Sequence, residues 1–101
     1  MCEFKIINES DGSQLLEDIV ILSYNEKSEL VLKDVIGMGE ILESAIILNI
    51  NTMNQKCVIL QNPIINLFIR LITKIENKSV KISDFDAFMS KLESLKQELK
   101  L

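Results

Sequence analysis

"LVLKDVIGMGEILESAIILNI" (residues 30–50) is the stretch on which the fold turns. Leu30 and Leu32 alternate with Val31 and Lys33, the two-residue period of a half-buried strand. The "GMGE" at 37–40 then brings two glycines, either of which can take a positive φ and close a turn. The next segment, "ILESAIILNI" (41–50), is built largely of Ile, Leu, Glu and Ala, which a helix also accepts. The glycine turn before it and the Asn-rich "NTMNQ" (51–55) after it favour a strand.

The neighbouring segments read the same way. "CEFKII" (2–7) alternates and stops at Asn8, and "SDGS" (10–13) carries the Asp-Gly signal of a hairpin. "QLLEDIVIL" (14–22) returns as a longer strand, in which the polar pair Glu17-Asp18 marks a bend or bulge. "SYNEKSE" (23–29) is a polar turn and "KCVILQ" (56–61) the fifth strand. Five short strands with regularly spaced turns predict a small barrel or a strongly bent sheet over residues 1–61.

The period changes after residue 61. Asn62 suits an N-cap and Pro63 the first helical position, so a helix is expected over 64–77. Its apolar residues fall on most faces, which requires cover on several sides. "NKSVKI" (77–82) breaks it, and "SDFD" (83–86) resembles a capping box with Asp86 in the closing place. Phe85, Phe88, Met89, Leu92, Leu95 and Leu99 then recur at helical spacing. Residues 62–101 therefore form a helical hairpin, expected to pack on the barrel, on a second subunit, or on both.

A chain of 101 residues is one small domain, or one with an appendage, and 48% hydrophobic residues supply a core. "PIINLFIRLITKI" (63–75) is too short to span a bilayer and is interrupted by Arg70 and Lys74. The first residues lack the apolar stretch of a secretory signal, and two distant cysteines suit a reducing compartment. A cytoplasmic location without a membrane partner is therefore expected. Residues 1–61 carry four lysines against ten carboxylates, a net −6; residues 62–101 carry seven basic against five acidic groups, a net +2. An acidic first half is a poor match for phosphate backbones, and nucleic acid is not an expected partner.

The chemistry-bearing residues are few. No histidine occurs, which removes His-based triads and His-ligated zinc, and no CxxC pair exists. "GMG" is too short for a nucleotide-binding loop. No enzyme is expected. Cys57, in a predicted strand, reads as a small core residue. Cys2 differs by position: loss of Met1 would place a free α-amine beside its thiol. Thiolate, amine and amide nitrogen favour square-planar Ni(II) or Cu(II), and two copies about a two-fold axis would supply two sulfurs and two nitrogens. Taken alone, these residues leave an incidental thiol and a metal ligand equally open.

The opening "MCE", "LEDIV" (16–20), "LVLKDVIG" (30–37), "ILESAIILNI" (41–50) and "KCVIL" (56–60) occur in an order that resembles the CooT family of small nickel-binding proteins. The likeness covers about the first sixty residues, and 62–101 has no counterpart in short members. It implies an Sm-like or SH3-like five-stranded barrel, α+β overall once the helical hairpin is added. It also implies a homodimer with Ni(II) held by the Cys2 residues of both subunits, as a metallochaperone serving a nickel enzyme or its maturation proteins. Some groupings have described such proteins as RNA-binding. The acidic barrel half, with only Phe4 and Tyr24 as aromatics, makes that the weakest reading. An interaction or oligomerisation module built on the apolar helices is the main alternative.

Overall fold

In the computed structural model, which describes residues 3–101, strands fill the first sixty residues and two helices close the chain. The strands are β1 (Phe4–Asn8), β2 (Gln14–Ile19), β3 (Ile21–Tyr24), β4 (Leu30–Lys33), β5 (Gly39–Leu42), β6 (Ala45–Asn51) and β7 (Lys56–Gln61); the helices are α1 (Ile64–Glu76) and α2 (Ile82–Glu98). Residues 41–50 are strand and not helix, as the flanking turns predict. The segments expected to be single strands at 14–22 and 41–50 are each divided, at Val20 and at Glu43–Ser44. Seven strands thus replace five among the described residues. They form a four-stranded sheet in the order β2-β1-β7-β6 and a three-stranded sheet in the order β3-β4-β5.

Neither sheet closes on itself, so the expected five-stranded barrel is corrected to two bent sheets over one core. The cause is local. At each bend the chain leaves one sheet for the other, with Val20 N–H donating to the Lys33 carbonyl at 2.9 Å and the Ser44 carbonyl accepting from Asn62 N–H at 3.1 Å. β1 lies parallel to β7, with Ile6 beside Cys57, and antiparallel to β2, with Phe4 opposite Ile19. Between those partners and Ile6 opposite Leu16, β2 holds one residue more than β1. This is the bulge anticipated at Glu17-Asp18, and Asp18 takes a φ of 61° there.

The core joins both sheets. Ile6, Leu30, Leu32, Ala45, Cys57 and Ile59 are fully buried, with Ile19 nearly so. Each buried Leu or Ile contributes roughly 1.5–3 kcal/mol through removal from water. Tyr24 Oη donates to the Ala45 carbonyl at 2.9 Å, tying β3 to β6.

Turn chemistry explains the connections. Asp11 Oδ1 accepts from Ser13 N–H at 2.9 Å while Gly12 takes a φ of 71°. Asp34 Oδ1 accepts from both Ile36 and Met38 N–H, and Gly37 supplies the positive φ, 87°. Gly39 serves otherwise: a Cβ there would collide with the Leu32 carbonyl across the β4–β5 pair.

Pro63 occupies the N-cap of α1 with helical torsions, and Asn62 Oδ1 accepts from Ile64 N–H at 3.0 Å. The expected capping partner of α2 is corrected. Ile82 already belongs to the helix, so Asp84, not Asp86, reaches back, with Lys81 N–H donating to Asp84 Oδ2 at 2.8 Å. Asp84 also pairs with Lys74 at 3.0 Å, locking α2 onto α1. No helix among the described residues is long and apolar enough to cross a membrane.

Candidate functional site

Cys2, the one ligand singled out from the sequence, lies outside the described residues. The strand it precedes is described. Phe4 is buried at the start of β1, whereas Glu3 is exposed. On one side of that start stand Ile19 and the bulged Asp18; on the other, Lys5 N–H donates to the Gln55 carbonyl at 2.9 Å. Gln55 also has a positive φ, 55°. Two left-handed non-glycine residues therefore flank the end of the four-stranded sheet from which β1 begins. Bulges and such backbone conformations gather where a fold re-aims side chains.

Cys57 is placed as its sequence context suggests. It lies between Ile6 and Ile50 in register and is fully buried. Burial pushes its thiol pKa up, because the low-dielectric core disfavours the thiolate. A neutral, buried thiol is neither nucleophile nor metal ligand. Glu17 and Asp18 stay exposed in the bulge, and Asp86 stays exposed on α2.

Among the described residues no group of three or more His, Cys, Asp or Glu side chains is arranged to hold a metal ion. With no histidine in the chain and Cys57 sealed in the core, Cys2 is the remaining thiol donor. A single thiolate is a weak metal site by itself.

The second feature of the surface lies on the helices, where the sequence supplied the ingredients and not their arrangement. α1 buries Ile65 and Leu71, yet Phe68, Ile72 and Ile75 remain exposed. α2 buries no residue, and Phe85, Met89 and Leu92 are exposed along it. The expected packing of the tail on the strands is met through α1, whose Asn66 N–H donates to Ser44 Oγ at 3.0 Å and whose Arg70 Nε donates to the Lys27 carbonyl at 3.2 Å, while α2 meets α1. Helical spacing alone could not reveal which side of the stripe stays open.

Compared with known proteins, the chain matches no family model and no curated protein.

Proposed function

We propose that this protein binds Ni(II) through Cys2, with the thiolates of two copies sharing one ion, and that it carries or delivers nickel without chemical turnover. The single observation that supports this reading is the division of labour between its two thiols. Cys57 is taken up by the core, which leaves Cys2, next to the start of β1, as the thiolate ligand. The resemblance of residues 1–61 to the CooT family points the same way. The recipient would be a nickel enzyme or its maturation proteins, in the cytoplasm.

Thiolate coordination displaces a proton, so nickel affinity should fall as pH drops. Adding Ni(II) to reduced protein should produce thiolate-to-metal charge-transfer absorption that weakens on acidification. The same spectrum from Cys2→Ser would overturn the proposal.

A second reading is favoured by the helices. Phe85, Met89 and Leu92 stand open on α2, in a module that would act by association alone. Deleting 62–101 and comparing self-association or partner capture separates this from nickel chemistry.

A further inference from the structure

The turn at 25–29 and the C-terminal half of α1 border a polar cleft of about 220 Å³. Glu26 and Ser28 line it from the turn, and Arg70, Thr73 and Lys74 from the helix. Asn25 fixes the turn, its Oδ1 accepting from the Lys27 and Glu29 N–H groups at 3.0 Å. Arg70 Nε donates to the Lys27 carbonyl at 3.2 Å, which anchors the guanidinium against the turn and holds the two walls together.

Three polar groups in this cleft lack a protein partner. Ser28 is only 7% exposed, and its hydroxyl makes no hydrogen bond among the described residues. No side-chain polar atom there is both sealed from solvent and unpartnered, so this hydroxyl opens on the cleft. Beyond its Nε bond, Arg70 meets no carboxylate at ion-pair distance among the described residues, which leaves its terminal Nη groups free. Glu26 lines the same cleft, yet no cation pairs with it among those residues. The other groups are satisfied or stand clear. Lys74 is held by Asp84 at 3.0 Å, and Ser79 Oγ donates to Asn77 Oδ1 at 2.6 Å. Lys27 and Lys78 are exposed and do not line the cleft.

We infer that this cleft binds a small α-amino acid as its zwitterion. Its carboxylate meets the Arg70 fork and the Ser28 hydroxyl, and its ammonium turns toward Glu26. The charges decide the class of ligand. Arg70 and Lys74 stand against Glu26 and Asp84, so the surroundings are neutral and match a neutral ligand with separated charges. A guanidinium fork fits the planar carboxylate with two parallel hydrogen bonds. A phosphate would bring roughly two negative charges to a cleft with one free cation and a carboxylate. The C-terminal end of α1 reaches the cleft through Asn77, and its negative partial charge adds to the pull on an ammonium. The volume lies below the roughly 300 Å³ at which pockets for drug-sized ligands begin, which restricts the side chain to a small one. This site is separate from Cys2 and needs no metal.

The test is an amide NMR titration of the reduced full-length chain. Glycine, alanine and serine are added in turn to millimolar concentration, with acetate, methylammonium and inorganic phosphate as separate arms. The amino acids should give saturable shifts at the Ser28 and Thr73 amides, and the other three probes should bind about tenfold or more weakly. Arg70→Gln and Glu26→Gln, both at exposed positions, should each weaken amino-acid binding by about tenfold or more, the worth of one charge-assisted hydrogen bond. Amide shifts away from the cleft should stay in place. No saturable shift with any of the three amino acids would overturn the inference. Acetate, methylammonium or phosphate binding as tightly as glycine would overturn it in favour of a site for a single charge. Wild-type affinity in either variant would overturn it as well.

Discussion

Tyr24 Oη donates a hydrogen bond of 2.9 Å to the carbonyl of Ala45, and through it β3 of one sheet grips β6 of the other. Ala45 is fully buried and begins β6 immediately after the Glu43–Ser44 bend. The bond therefore fixes the corner at which the chain changes sheets. Tyr24→Phe should lower stability by roughly 0.5–1.5 kcal/mol, read as a lower urea midpoint with an unchanged slope.

Gly37 and Gly39 sit two residues apart but should respond differently to alanine. At Gly37 a methyl meets open space, and only the φ of 87° is strained, at a cost of roughly 1–2 kcal/mol. At Gly39 the methyl collides with the Leu32 carbonyl, so β4 and β5 must separate. Gly39→Ala should cost more than about 2 kcal/mol and Gly37→Ala less, which paired denaturation curves will resolve.

Cys57 makes stability depend on alkaline pH. Burial raises its thiol pKa in the folded state, so between the unfolded and folded values the native chain binds more protons. Stability is then complete below the unfolded thiol value of about 8.5 and declines as pH rises through the folded one. The decline should shrink in Cys57→Ala. Alkylation of native protein at neutral pH should leave Cys57 unmodified until denaturant is added.

Asp84 should titrate below the ordinary carboxylate range. The main cause is the backbone hydrogen bond from Lys81, followed by the hydrogen bond from Lys74. A depressed folded pKa gives stability that is present above the unfolded value and lost as pH falls through the folded one. Carboxyl NMR shifts should show this, and Lys74→Met should return the pKa only part of the way. Asp84→Ala should fray the first turn of α2, seen as faster amide exchange there.

Local turn chemistry made much of the fold legible in the sequence. The Asp-Gly hairpin, the positive φ at Gly37, the bulge at Glu17-Asp18 and the Asn62-Pro63 helix start all arise from side-chain geometry within a few residues. The breaks at Val20 and Glu43–Ser44 did not show, because each half of a bent strand keeps the same alternation. Asp84 displaced Asp86 as the capping group because the helix starts at Ile82, ahead of the Ser83 cap that the "SDFD" pattern implied. The open face of Phe68 and Met89 was also hidden, since an apolar stripe looks alike whether or not another surface covers it. Cys57 was legible as core, whereas the role proposed for Cys2 calls on a second chain, which a single sequence does not display.

Nickel stoichiometry tests that role most directly. Reduced protein dialysed against limiting free Ni(II) and assayed for metal per chain should hold one ion for every two chains. Cys57→Ser should match it, and Cys2→Ser should bind none. Nickel retained by Cys2→Ser at the wild-type ratio would contradict the account.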